Sequence, residues 1–241
     1  MELPLIEKTK LFEGLQTLRS KILRVSIVVG LLAIASSFFL DLIISLLEKP
    51  LEIPLVLYAP GEALIVIIKI CIFTSLFLTF PFLFYELWTA LAPIFMTVST
   101  RQTCFAVLSA WLLFLSGVLL CYMVVLPFGI QFLIGFGGEY LEPLLSANRY
   151  LTFVMVLIFA FGIIFELPLI LLFLNQMGIV TAPFLSQYRR YAILVIAIVS
   201  AVITPTPDAY TMLLMAGPLW ILYEVSIIVI RLFGRHDRAT S

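Results

Sequence analysis

The sequence predicts an all-α polytopic membrane protein with six transmembrane helices, and its composition and its apolar runs are the observations behind this prediction. Of the 241 residues, 63% are hydrophobic and 12% are charged, and the mean hydropathy is +1.20. A soluble domain of this size cannot bury so much apolar surface, because roughly half of its residues must face water. Apolar runs lie at about residues 22–47, 63–85, 104–127, 150–174, 191–203 and 210–230.

The fifth run is the exception in length. The other runs reach the roughly 20 residues that a helix needs to cross about 30 Å of hydrocarbon. The core of the fifth run, AILVIAIVSAVI, extends only about 18 Å as a helix. We therefore expect this helix either to thin the bilayer locally or to lie behind longer neighbours.

A short amphipathic helix is predicted before the first span, over about residues 9–21. Its apolar residues recur at spacings of four, three and four, and they are Leu11, Leu15, Leu18 and Ile22. Glu13 and Arg19 lie on the opposite, polar face. Such a helix lies along the membrane surface and runs into the span. The whole chain, 1–241, is then expected to form one transmembrane domain.

The outer loops are rich in proline and acidic residues, as in EKPLEIPLVLYAPGEA and GGEYLEPLLSANRY. Proline cannot continue a helix and restricts the residue before it to extended backbone. These segments are either ordered caps on the outer face or solvated loops, and the sequence leaves both interpretations open.

Lysine and arginine collect on one side of the predicted membrane. Eleven lie at the termini and in the loops at 86–103 and 175–190, against two, Lys49 and Arg149, in the opposite loops. Because such residues mark the cytoplasmic side, we expect both termini in the cytoplasm at a bacterial inner membrane, or in the organellar equivalent. The formal net charge of +0 argues against a nucleic-acid partner, which requires a basic face.

Cysteine and histidine give no sign of a metal centre. Cys71, Cys104 and Cys121 lie in or at the edge of apolar runs without CxxC spacing, which is typical of small packing residues. The one histidine, His236, lies in the charged tail. The spans also lack a GxSxG elbow, so we expect no metal, no cofactor and no enzymatic activity.

Six short stretches, taken in order along nearly the whole chain, resemble the TatC family: YAPGEA, YELWTALAP, YMVVLPF, FAFGIIFELP, ITPTPD and GPLWILYE. The resemblance implies a cupped bundle with short fifth and sixth helices and cytoplasmic termini. It implies a receptor of the twin-arginine protein translocase that recognises the signal peptides of folded cargo. It also implies TatA-type and TatB-type single-span partners, a homo-oligomer within the receptor complex, and export driven by the proton-motive force. Prolines of these stretches are expected to be structural: Pro60, Pro93, Pro127, Pro168 and Pro205.

Glu166 lies two residues before Pro168 inside the apolar run IIFELPLI. An ionised carboxylate near the middle of a bilayer costs about 2.5–3.5 kcal/mol, so we expect this side chain to be neutral at rest. Pro168 lacks a backbone donor and loosens the turn before it. Either Glu166 is hydrogen-bonded within the bundle, or, as the resemblance implies, it offers a polar contact on the concave face to a partner's transmembrane helix.

Two more acids near the sixth span have open interpretations. Asp208, in ITPTPD, either caps the sixth helix by accepting from backbone N–H groups or, as the resemblance implies, acts in later translocation steps. Glu224 lies seven residues before Arg231 on the same helical face. It either pairs with Arg231 through water or lies unpaired at the interface.

Twin-arginine recognition calls for carboxylates, because planar guanidinium groups bind acids bidentately. At the aligned positions where the family carries such glutamates, this chain has Thr17 and Ser99. Glu13, one helical turn before Thr17, and Glu86, at the border of the first cytoplasmic loop, are the candidate substitutes. We therefore predict a signal-peptide site of Glu13, Glu86 and Arg19, against the simpler interpretation that both acids are exposed or interfacial charges.

A proton-coupled transporter of small solutes is the alternative function. An intramembrane acid, Lys69 and a proline-broken helix would serve it as well. Transporters of that type usually have paired halves, and the sequence shows no internal repeat.

Overall fold

The computed structural model describes residues 5–51, 55–95, 99–135, 145–203 and 209–234, with side chains of the first helix described from Arg19 onward. Nearly all of these residues are helical. The helices are α1 (Leu5–Ser36), α2 (Leu40–Glu48), α3 (Pro60–Phe95), α4 (Thr100–Leu120), α5 (Leu126–Gly135), α6 (Ala147–Ile164), α7 (Leu167–Gln176), α8 (Ala182–Gln187), α9 (Arg189–Ile203) and α10 (Ala209–Phe233). A 3-10 turn (Ser37–Phe39), a π-helical turn (Cys121–Val125) and two short strands, β1 (Leu55–Val56) and β2 (Leu145–Ser146), complete the described elements.

Helical segments long and apolar enough to cross a membrane confirm a multi-pass membrane protein. Within the described residues they are Arg19–Glu48, Gly61–Pro93, Thr100–Gln131, Ala147–Gln176 and Met215–Phe233. The last, with 19 residues, is the shortest of these five. Helix α9 has only 15 residues and would extend about 22 Å, as predicted for the short fifth helix. The arrangement is consistent with six spans.

The predicted amphipathic helix at 9–21 is present but is not a separate element. Helix α1 runs without interruption from Leu5 to Ser36. The sequence of α1 contains no proline, so one hydrogen-bond ladder joins the amphipathic segment to the first span.

Contacts divide the chain into two compact units, one formed by Met1–Ile43 and Ile67–Trp111, the other by Ile44–Val66 and Leu112–Ser241. The prediction of a single domain stays a prediction. In the first unit, the hydroxyl of Ser36 near the end of α1 donates to the carbonyl of Cys71 in α3 at 3.3 Å. This contact joins α1 to α3 at one end of the unit.

In the second unit, α4 and α6 pack closely because each presents a glycine. A Cβ atom on Gly117 would lie 2.6 Å from the carbonyl oxygen of Phe161, and one on Gly162 would meet the ring of Phe114. Phe114 and Phe161 are fully buried. The two glycines therefore set how near the two helices approach, and the rings of Phe114 and Phe165 lie against them.

The outer connections of the second unit are ordered where the structure describes them. Strands β1 and β2 pair in parallel. Glu62, in the first turn of α3, accepts hydrogen bonds from the Ser146 hydroxyl at 2.7 Å and from the Tyr58 backbone N–H at 2.8 Å. This favours ordered caps over solvated loops for these parts of the chain.

Two tyrosines close the end of α2 in the same unit. The Tyr122 hydroxyl donates to the carbonyl of Leu46 at 2.7 Å, and the Tyr150 hydroxyl donates to the carbonyl of Leu47 at 3.1 Å. The last carbonyls of a helix have no partner within it, so the two hydroxyls satisfy groups that would otherwise be orphaned.

The motif prolines occupy positions that fit their chemistry. Pro60 is the first residue of α3 and Pro168 the second of α7, where a missing N–H costs little. Pro93 lies inside α3 near its end. Pro127 follows a π-helical turn, Cys121–Val125, in which the Leu126 N–H bonds to the carbonyl of Cys121. Pro205 lies outside the described residues.

Gly117→Ala should lower the stability of the second unit by about 1–3 kcal/mol, the usual cost of overpacking. The added methyl group meets backbone at Phe161, which cannot rotate away as a side chain can. Gly129→Ala is the matched control, because nothing lies within 4 Å of a Cβ at that position. Thermal unfolding of the protein in detergent or nanodiscs measures the difference. Equal midpoints for the two variants would contradict the close approach of α4 and α6.

Candidate functional site

Glu86 is the centre of a polar cluster in the first unit. Arg24 and Lys21 lie three residues apart on one face of α1 and point to its carboxylate. Arg24 Nη1 lies 3.0 Å from Oε1, and Lys21 Nζ lies 3.7 Å from Oε2. Lys21 also donates to the Glu86 carbonyl at 3.2 Å and to the Thr89 hydroxyl at 2.6 Å. Two cations of α1 therefore surround one carboxylate of α3.

Burial makes this pairing necessary. Glu86 is 4% exposed, inside the apolar segment Gly61–Pro93. A buried charge without a partner is costly, and removing one partner of a buried pair typically costs about 3–5 kcal/mol. The cluster is thus a second contact that joins α1 to α3, and it lies far along α1 from the contact between Ser36 and Cys71.

The sequence interpretation of Glu86 needs correction. We predicted a carboxylate at the border of a loop, available to a guanidinium ligand or exposed at the interface. The structure places it within α3, nine residues before the helix ends at Phe95, and already paired with Lys21 and Arg24. The pattern of two cations three residues apart was visible in the sequence, but their partner, more than 60 residues away, was not.

Of the other residues of the predicted signal-peptide site, Arg19 is exposed on α1. Glu13 and Thr17 belong to α1, and their side chains lie outside the described residues.

Ser99 has a structural role at the start of α4. Its backbone N–H donates to Gln102 Oε1 at 3.0 Å, and the Gln102 N–H donates to the Ser99 hydroxyl at 3.4 Å. This reciprocal pair is a capping box at the start of α4. Serine followed three residues later by glutamine could have been recognised from the sequence as a helix start.

A groove of about 580 Å³ lies between α3 and α4 in the first unit. Its walls are mostly aromatic and apolar, and they include Tyr85, Trp88, Pro93, Cys104 and Trp111. Cys104 is exposed there, whereas Cys71 and Cys121 are buried. The prediction of three packing cysteines therefore fits two of them better than the third. Thr89 lines the groove and also accepts the hydrogen bond of Lys21.

Glu166 lies in the second unit, in a two-residue turn between α6 and α7. Pro168 supplies no N–H, and the helix resumes with the Ile170 N–H donating to the Glu166 carbonyl at 2.9 Å. The side chain is 4% exposed, and neither carboxyl oxygen has a hydrogen-bond partner among the described residues.

This burial bears on both interpretations of Glu166. The carboxyl is enclosed in the chain alone, and the polar contact for a partner's helix, which the resemblance implied, stays a prediction. The carboxyl is not hydrogen-bonded within the described part of the bundle, which was the alternative. Glu166 stands out because a buried polar side chain usually has a partner.

Glu224 also differs from its prediction, since its partner is Arg189 rather than Arg231. Arg189 Nη2 donates to Oε2 of Glu224 at 2.8 Å, and Nε lies 2.8 Å from Oε1. The neighbouring Tyr223 hydroxyl donates to the Leu185 carbonyl at 2.8 Å. These contacts join α8, α9 and α10 within the second unit. Asp208 lies outside the described residues, so both of its interpretations stay predictions.

Comparisons with known proteins agree over almost the full length of the chain. The family described as "Sec-independent protein translocase protein (TatC)" matches residues 13–218. A TatC protein of Desulforapulum autotrophicum is 35% identical over 235 residues, covering 95% of this chain and 87% of that protein. A TatC protein of Aquifex aeolicus is 34% identical over 236 residues, covering 95% of this chain and 97% of that protein.

The fold agrees as well. A crystal structure of the twin arginine translocase receptor TatC superposes with a TM-score of 0.80 at 32% identity, covering 91% of this chain and 98% of that one. The same receptor crystallised in the detergent DDM gives a TM-score of 0.81. With a matching family profile, relatives above 30% identity and a shared fold over nearly its whole length, the chain belongs to the TatC family.

Proposed function

We propose that this chain is the receptor subunit of a twin-arginine translocase. It recognises twin-arginine signal peptides on folded proteins and gathers TatA-type and TatB-type single-span subunits for export driven by the proton-motive force. The observation that carries this proposal is the likeness in sequence and fold, over about nine-tenths of the chain, to proteins described as the twin arginine translocase receptor. Copies of the chain associate within one receptor complex, as the resemblance implies.

Signal-peptide recognition on this chain rests on Glu86, with Glu13 as a second acid. Glu86 supports it because its carboxylate already binds a guanidinium, that of Arg24, at 3.0 Å. Glu13 also lies on α1, but its side chain is outside the described residues. Arg19 lies between Glu13 and the cluster in the sequence. Charge reversal of either acid is expected to weaken crosslinking to a twin-arginine peptide.

Partner assembly uses Glu166. A transmembrane helix that brings a polar group to the turn between α6 and α7 would supply the hydrogen-bond partner that this carboxyl lacks among the described residues. Hydrogen bonds between membrane helices contribute about 1–2 kcal/mol in model peptides. The contact is therefore strong enough to bias assembly without holding the subunits permanently.

The membrane is a bacterial inner membrane, with both termini in the cytoplasm. Arg101, in the first turn of α4, and Arg189 and Arg190, at the start of α9, lie at connections assigned to that same side. They belong to the excess of lysine and arginine from which this orientation is inferred.

Expression of this chain in a strain that lacks its own TatC should restore export of a folded reporter carrying a twin-arginine signal peptide. The same reporter with two lysines in the signal is the control, because an ammonium cannot bind a carboxylate bidentately. Export is scored as periplasmic reporter activity. Absence of export, together with solute uptake by the chain alone in proteoliposomes, would overturn the receptor function and favour the transporter.

Glu166→Ala should reduce copurification of TatA-type and TatB-type subunits by about five- to thirtyfold, the equivalent of one interhelical hydrogen bond. Glu166→Gln is the matched control, because it keeps a polar side chain of the same shape and should keep assembly. Any loss of export in Glu166→Gln with intact assembly would assign a proton-linked step to this residue. Wild-type assembly and export by Glu166→Ala would overturn the role of Glu166.

A fluorescent protein that folds only in the cytoplasm should fluoresce when fused to the C-terminus. Alkaline phosphatase, which is active only outside the cytoplasm, should be inactive at the same position. These results follow from the excess of lysine and arginine on the side of the termini. An active phosphatase fusion with a dark fluorescent fusion would reverse the orientation.

A further inference from the structure

The two cations that surround Glu86 are held very differently. The Lys21 side chain is 10% exposed and contacts three groups: the Glu86 carboxylate, the Glu86 carbonyl and the Thr89 hydroxyl. The Arg24 side chain is 58% exposed, and among the described residues its ion-pair partner is Glu86. Lys21 is therefore part of the packing between α1 and α3, whereas Arg24 reaches the carboxylate from outside.

Arg24 carries the same guanidinium group as the arginines of the proposed ligand, the twin-arginine signal peptide. Its guanidinium lies 3.0 Å from a carboxylate oxygen that is otherwise almost inaccessible, since the Glu86 side chain is 5% exposed. An arginine of a peptide needs that same oxygen, and it would meet Arg24 there. Binding beside Arg24 would place a third cation next to one carboxylate, which repulsion disfavours.

We infer that Arg24 is an internal competitor for the signal peptide: its guanidinium occupies Glu86 in the unliganded receptor, and an arginine of the peptide replaces it. This inference rests on the proposed function. Lys21 stays in place during the exchange and keeps α1 joined to α3. Arg24 swings away from the carboxylate, which is possible because its side chain is 58% exposed and lies outside the packing of α1 and α3.

The exchange has a simple electrostatic advantage. One guanidinium leaves as another arrives, so Glu86 is never left buried without a partner and the charge of the cluster does not change. The exchange also selects arginine over lysine, because an ammonium is more strongly hydrated and lacks the planar geometry of the guanidinium that leaves. Because Arg24 must be displaced from Glu86, only a ligand that offers a guanidinium in its place binds there.

The test is binding of a fluorescent twin-arginine peptide to the full-length receptor in nanodiscs, by wild type and by Arg24→Gln. Removing the competitor should lower the Kd by between about 1.5- and 5-fold, as expected for one partly exposed ion pair. The gain should shrink at high salt, because the exposed guanidinium is screened. Arg101→Gln is the matched control, since it removes an exposed arginine of the same unit outside the cluster and should not raise affinity.

Two further variants separate competition from structural damage. Arg24→Lys should give a Kd between those of wild type and Arg24→Gln, because an ammonium returns the charge but competes less well than a guanidinium. Arg24→Gln/Glu86→Gln should lose the gain and the preference for arginine over a twin-lysine peptide. If wild type prefers the twin-arginine peptide but Arg24→Gln binds no more tightly, the inference is overturned and the proposed function stands. If no variant prefers arginine, both are overturned.

Discussion

A charged group within hydrocarbon must find its counterion inside the protein, and this constraint organises the polar contacts of the chain. Water is not available there to solvate an unpaired carboxylate, so burial alone would force such a group out. Glu86 meets the constraint with Lys21 and Arg24, and the result joins two helices that are far apart in sequence. Glu224 forms a more exposed pair with Arg189, at the start of α9, and this pair joins the last helices of the chain. In both places an acid that would be costly to bury alone joins two helices through its ion pair.

Hydroxyl groups solve the milder form of the same problem. Within α3, Ser75 and Thr79 are buried and donate to backbone carbonyls one turn earlier. Such bonds hide the polar group at little cost to the helix. Glu166 is the contrast, because its carboxyl is buried without a hydrogen-bond partner among the described residues. A buried carboxyl without a partner in its own chain can form a hydrogen bond with a polar group of another subunit. The proposed assembly site is therefore placed at Glu166.

Hydropathy is a local property, and the spans could therefore be predicted from the sequence, including the shortness of the fifth. The cap at Ser99 was also local and could have been read. The partners of Glu86 and Glu224 could not, because the pairings with Lys21, Arg24 and Arg189 depend on which helix faces meet. Enclosure of Glu166 depends on the same long-range packing. The sequence therefore singled out Glu86, Glu166 and Glu224, but it did not predict which side chains lie next to them.

The π-helical turn at Cys121–Val125 affects more than its own five residues. In an α-helix each residue advances the side-chain direction by about 100°, and the wider turn takes up one residue more than an α-helical turn does. Buried positions lie before the turn, at Phe114, at its two ends, Cys121 and Val125, and after it, at Leu126 and Ile130. The direction in which the side chains of α5 point is consequently set by that one extra residue. A homologue that lacks it would present a different side of α5 to its surroundings while keeping the same composition.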